Sequence, residues 1–355
     1  MVDIEKLLEK AVKDGASDIF ISVGIPPALK ISGEIIRLEG DILKPDDTER
    51  LVRGLFNSEE EYKTYRAEGE RDFSASRAGL GRFRVSAYTQ RGTSASVIRV
   101  IRFEKLNIEK LRIPDEVMRF HKLKKGLVLV TGSTGTGKST TLSALIDMIN
   151  RNYNYHILTL EDPIEYLHKH EKSIVNQREI GIDTANYQVG LRSALRESPN
   201  VIFIGEMRDY ETMEIALTAA ETGHLVMSTL HTTSAPITID RIIDVFPPQQ
   251  QQQVRVQLAL TLKAVFSQQL VKTLDNKLVP AFEVMVATVG VRNMIRDNRI
   301  HQIDGAIQTG IDEGMLTMDM SLAKLFNNGI ISREVAEDAC RDIKMLSKYI
   351  DMKMK

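Results

Sequence analysis

At 355 residues the chain is long enough for two domains, each with its own buried core. Its 47 basic and 48 acidic side chains leave a formal charge of −1, which excludes a global electrostatic pull toward nucleic acid or anionic lipid. The single cysteine, Cys340, excludes an internal disulfide framework and a four-cysteine zinc module; the start lacks a basic segment followed by an apolar stretch, and no run approaches the roughly 18 apolar residues of a membrane span, so a soluble, intracellular protein is expected.

The first hundred residues read as a small α+β module. Asp3 to Val12 has helical character, Asp18 to Val23 alternates like a strand, and Ala28 to Leu38 reads as a hairpin turning at Gly33. Helical segments over 46–56 and 59–67 precede further strands over 81–90 and 94–102. From Arg77 to Arg102 there are six arginines and neither lysine nor acidic residue. Along the first of these strands Arg82 and Arg84 share one face while Phe83 and Val85 pack on the other, and Arg99 and Arg102 lie on the next strand. This positive field suits a nucleotide phosphate, a nucleic acid, or simply exposed strand arginines; aromatic interleaving is thin and no named nucleic-acid motif is present, which favours the phosphate. A charged stretch and Pro114 then mark a linker over 103–114, between a domain of residues 1–102 and one of residues 115–355.

Beyond the linker, near-continuous apolar runs at 127–131, 157–160, 201–204 and 225–229 alternate with amphipathic helices, as expected of a mainly parallel sheet covered on both faces. Between the first run and its helix lies Gly-Ser133-Thr134-Gly135-Thr136-Gly137-Lys138-Ser139-Thr140, a strand, loop, helix order that cradles phosphates. Backbone N–H groups of the loop turn toward phosphate oxygens, Lys138 reaches the β- and γ-phosphates, and the Ser139 hydroxyl ligates Mg²⁺. Leu142, Leu145, Ile146 and Ile149 give the following helix an apolar face, and its positive N-terminus points at the nucleotide. After Pro247-Pro248 a helix is expected over 249–270, opening on a solvated run of glutamines, with mostly short helices to the end.

Three further segments place polar residues at the carboxyl ends of these strands, where ligand chemistry belongs. In Leu160-Glu161-Asp162-Pro163, a carboxylate is placed to polarise water or to hold Mg²⁺ through water; helix capping is the plainer alternative. In Ile204-Gly205-Glu206-Met-Arg208-Asp209, Gly205 stands where many phosphate-loop proteins carry aspartate, so Glu206 and Glu161 share the metal-water and catalytic duty, with Glu161 as the base; Arg208 and Asp209 read as a surface pair. His224 and His231 flank one strand, and seven extended residues cover roughly 23 Å, so the two cannot share a metal. His231 reaches the γ-phosphate as a sensor, His224 serves packing or a subunit contact, and His168 and His170 read as a solvated turn.

Together these boxes resemble the ATPases of type II secretion and type IV pili, and most nearly the pilus retraction (PilT) family, over almost the whole chain. The resemblance rests on the phosphate loop, Thr159 to Glu165, Ile204 to Asp209, and Thr222-Gly-His through Thr232. It implies a PAS-like N-terminal domain, a RecA-like ATPase domain, and a homo-hexamer whose nucleotide sites receive N-terminal arginines. Retraction members carry an A-I-R-N-L-I-R motif near the C-terminus; residues 290–296 align with it, keeping Arg292, Asn293, Ile295 and Arg296, while Gly290 weakens the helix start. With the zinc element of assembly members excluded, the resemblance implies a cytoplasmic motor at the inner face of the membrane, using ATP with Mg²⁺ to retract pili. Its partner would be an inner-membrane platform protein, with membrane association only through partners and no nucleic acid. A pilus-assembly or secretion motor and a nucleotide-gated scaffold are the alternatives.

Overall fold

The computed structural model describes residues 3–31, 33–77, 79–101 and 107–352. The chain divides into two compact units, Met1–Lys105 and Leu106–Lys355. In the first, a six-stranded antiparallel sheet runs in the order β3-β2-β1-β6-β5-β4. These strands are β1 (Asp18–Ile21), β2 (Ala28–Ile31), β3 (Glu34–Arg37), β4 (Glu70–Arg77), β5 (Gly81–Gln90) and β6 (Thr93–Ile101). Alternation decides what each face does: Phe83, Val85 and Ala87 of β5 are buried with Ile19, Leu29 and Ile98, while Arg84 between them is exposed. Helix Ile4–Lys13, capped by Asp3, contributes Leu7, Leu8 and Ala11 to the same core.

The second unit is a seven-stranded sheet in the order β13-β12-β7-β11-β10-β8-β9. Its strands are β7 (Gly126–Thr131), β8 (His156–Glu161), β9 (Ile174–Glu179), β10 (Val201–Ile204), β11 (Leu225–Leu230), β12 (Leu262–Lys272) and β13 (Leu278–Val286). All neighbours are parallel except β12 and β13. Every residue of β7, β10 and β11 is buried, since helices cover both faces. Helix Lys138–Asn152 lays Leu142, Leu145, Ile146 and Ile149 into one of the two cores.

The C-terminal third departs from expectation. The helix that opens on the glutamines ends at Thr261, and the chain enters β12 at Leu262 instead of staying helical to 270. Val254 and Leu258 lead in step to Leu262, so the apolar rhythm continues while the backbone changes; the β-branched and aromatic residues Val265, Phe266 and Val271 then favour the strand. A second strand, β13, follows in the stretch expected to be mostly short helices. The pair extends the parallel sheet beside β7 and brings Ser267 and Gln268 against the phosphate loop.

Candidate nucleotide site

The carboxyl ends of β7, β8, β10 and β11 gather around a cleft of about 540 Å³ within the second unit. Residues 132–137 form the loop from β7 into helix Lys138–Asn152. At Gly132 φ is +146°, and a Cβ would lie 2.4 Å from the Gln268 carbonyl oxygen, so this turn requires glycine. Thr136 folds the loop on itself, its hydroxyl donating to the Ser133 carbonyl at 2.9 Å. The Lys138 ammonium donates to the Gly132 and Ser133 carbonyls at 2.8 and 2.9 Å. Burial lowers its pKa, opposed by the charges of Glu206 and Glu165. Thr134, Gly135, Gly137, Ser139 and Thr140 line the cleft beside it, with the Thr140 hydroxyl 2.8 Å from that of Tyr166.

Glu161 ends β8 and is 5% exposed. Burial raises its pKa to about 7, although the Thr159 hydroxyl and the Gln177 amide both donate to its Oε1, at 2.6 and 3.2 Å. No helix starts at Pro163, so Glu161 and Asp162 are not caps. Glu206, just beyond β10, is committed on both oxygens: Oε1 pairs with Arg208, and Oε2 lies 3.1 Å from His231 Nε2. Arg208 thus pairs with Glu206 and not with Asp209, which caps helix Tyr210–Glu221 and accepts from Gln188. Geometry explains the correction, because the Asp209 oxygens are drawn to the N–H and hydroxyl of Thr212 at the helix start.

Two residues missed by sequence reasoning complete the cleft. Tyr187, at the start of helix Tyr187–Ala194, turns its hydroxyl into the space beside Gly205, where a Cβ would come within 2.9 Å of that oxygen. Burial, together with Asp162, Glu206 and Glu161, pushes its pKa up and keeps the phenol protonated. An aspartate at position 205 would collide here, which gives Gly205 a steric reason. Gln268, 3% exposed on β12, donates to the Thr136 carbonyl at 2.7 Å and accepts from the Thr141 hydroxyl at 2.8 Å, fastening the loop to the sheet. A glutamine far along the chain, followed by a second at Gln269, carries no local signal of that task.

His224 precedes β11 and turns its Nδ1 to the Ala219 carbonyl at 3.0 Å, at the opposite strand end from His231. His168 is not the solvated residue expected: burial lowers its pKa to about 4, and only His170 is exposed. Arg292, Asn293 and Arg296 lie on helix Val289–Arg296, which buries Val291 and Ile295. There Arg292 donates to the Ala287 carbonyl and Arg296 to Asn293. In the first unit Arg84 and Arg99 pair across β5 and β6, with Arg82 two residues along. Arg99 is drawn into an ion pair with Asp18 at 3.0 Å, while Arg102 lies outside the described residues.

A family model described as type II/IV secretion system protein matches residues 74–339. The type IV pilus retractation ATPase PilT of Pseudomonas aeruginosa is 45% identical over 96% of this chain and 98% of its own. The type IV pilus ATPase PilU of the same organism is 40% identical over 98% and 92%. A crystal structure of the pilus retraction motor PilT with bound ADP superposes with a TM-score of 0.91 at 45% identity, covering 98% of this chain and all of the other. The chain therefore belongs to the type II/IV secretion system protein family, alongside pilus ATPases that it matches over nearly its whole length.

Proposed function

We propose that this chain is a motor ATPase that hydrolyses ATP to ADP and phosphate and drives type IV pilus retraction, the pilin depolymerisation that underlies twitching motility. The observation that carries the reading is the convergence of Lys138, Ser139, Glu161, Glu206 and His231 on one cleft. A triphosphate over the loop gives the Lys138 ammonium phosphate oxygens in place of the two carbonyls it now holds. Glu161 is the general base: burial makes its carboxylate more basic, while Glu206 already has both oxygens engaged. His231, joined to Glu206, reports on the γ-phosphate. Mg²⁺ arriving with the nucleotide would neutralise phosphate charge, held by the Ser139 hydroxyl and, through water, by Glu206 or Asp162. One hydroxyl with nearby carboxylates, and no three-ligand metal cluster among the described residues, suits an ion that keeps phosphate and water ligands.

In this proposal the chain works as a homo-hexamer at the cytoplasmic face of the inner membrane, and an inner-membrane platform protein holds it there. Arg82, Arg84, Arg99 and Arg102 supply positive charge to a nucleotide site within the ring, and hydrolysis removes the contacts that hold the closed state. No helix among the described residues is long and apolar enough to cross a membrane, in keeping with attachment through a partner. Phosphate release by full-length Lys138→Ala tests the site, and parent-rate hydrolysis would sink it. In cells, the same variant of a retraction motor leaves pili assembled but static; loss of the pili themselves would point to assembly.

A further inference from the structure

The second unit also contains a buried carboxylate that the chemistry above does not use. Glu283, on β13, is 1% exposed and bonds directly to three separate parts of the chain. Its Oε1 accepts from the Ala235 backbone N–H at 2.9 Å and from the Ser267 hydroxyl at 3.3 Å. Ser267 in turn accepts from the Thr131 hydroxyl at 3.1 Å, on the last residue of β7 before the phosphate loop. Glu283 Oε2 pairs with Arg341, whose other guanidinium nitrogen donates to the Thr233 carbonyl at 2.9 Å. The backbone N–H of Arg341 donates to Asp319 at 2.7 Å, fixing the segment that carries the arginine.

The anchored points bracket the loop after β11. Residues 231–234 leave the strand with His231 facing Glu206 and enter helix Ala235–Asp244 through the Ser234 cap. One end of this loop belongs to a fully buried strand. The other end is held at Thr233 by Arg341 and at Ala235 by Glu283. We infer that Arg341 and Glu283 are positioning residues for His231, setting the loop that aims the imidazole at Glu206 and the phosphate site. The inference rests on the reading of His231 given above and extends it to a C-terminal arginine outside the four boxes. A guanidinium suits the task because it spans carboxylate and carbonyl at once, whereas an ammonium is a point charge that cannot reproduce that fork.

The test is epistasis in steady-state ATP hydrolysis by the full chain, with Mg²⁺ present. Arg341→Lys keeps a cation for Glu283 and loses the fork to Thr233; its kcat should fall about tenfold with KM for ATP within about twofold, the pattern of an interaction that matters only in the transition state. Glu283→Gln, which keeps acceptors for Ala235 and Ser267, should behave alike. In a His231→Ala background either change should cost nothing further, since there is no imidazole left to aim. Losses that multiply would show that Arg341 acts on stability or elsewhere, and parent kcat in Arg341→Lys would equally overturn the proposal. If His231→Ala alone leaves kcat intact, the sensor reading fails; if it lowers kcat and Arg341→Lys does not, only the positioning role fails. Each variant is assayed well below its own melting temperature, which keeps loss of fold out of the comparison.

Discussion

Replacing Glu161 with glutamine separates the two consequences of burying a carboxylate under the phosphate loop. In the folded chain its pKa is about 7, against 4.5 for an ordinary glutamate. That gap corresponds to about 3 kcal/mol of preference for the protonated form. The sign follows from proton counting: between pH 4.5 and 7 the folded state holds a proton that the unfolded state has lost, so stability falls as pH rises. The cost is absent below 4.5 and fully present above 7. Glu161→Gln cannot ionise, and its Oε1 still accepts from Thr159 and Gln177. Relative to wild type it should therefore gain on the order of 3 kcal/mol between acid and alkaline pH. Denaturant unfolding of both proteins across that range measures the difference, in which the titration of groups not coupled to Glu161 cancels.

The same substitution should lower kcat by about 10²–10⁴-fold, the usual contribution of a positioned base, while ADP still binds. In the parent, kcat/KM should fall about tenfold per pH unit below about 7, because only ionised Glu161 accepts a proton. That limb should vanish in Glu161→Gln and persist in Glu206→Gln, which removes titration of the nucleotide as an explanation. A stability difference that stays flat with pH, or a limb that survives in Glu161→Gln, would refute the reasoning.

Gln268→Leu strips the Thr136 carbonyl and the Thr141 hydroxyl of their partner at roughly 1–3 kcal/mol for each buried group; ADP affinity measured by calorimetry should fall at least about tenfold, and unchanged affinity would deny the fastening role. Gly205→Ala should lower both melting temperature and turnover, since its Cβ would meet the Tyr187 oxygen at 2.9 Å; adding Tyr187→Phe should recover part of the stability, and an additive loss would remove the steric account. Arg84→Ala should reduce ATP turnover by the full chain more than Arg99→Ala, because both arginines are exposed but Arg99 is already engaged by Asp18; equal effects would argue against the proposed phosphate role.

What sequence could disclose tracks how local each cause is. The phosphate loop and the runs that become β7, β8, β10 and β11 are legible because a strand buried on both faces must be apolar throughout, and the loop's glycines and lysine all fall between Gly132 and Lys138. β9 is illegible for the converse reason. Ile174–Glu179 is an edge strand whose residues are mixed in polarity and mostly reach the surface, so no run marks it. β12 is hidden by coincidence, since Leu262 falls where the preceding helix would next want an apolar residue.

The site divides in the same way. Lys138, Glu161, Glu206 and His231 each follow a legible strand, so their convergence could be inferred from topology before any distance was known. Gln268, Tyr187, Glu283 and Arg341 follow no such rule; each serves a partner brought near only by the sheet order β13-β12-β7-β11 or by a helix packed on it. The two groups answer to different physics. Residues that meet phosphate must stand at strand ends, where the backbone turns to expose them, whereas residues that hold those ends in place can come from wherever the fold supplies a buried polar group. This division also explains why Gly205 looked like a missing aspartate: its reason is the hydroxyl of Tyr187, contributed by another segment of the chain.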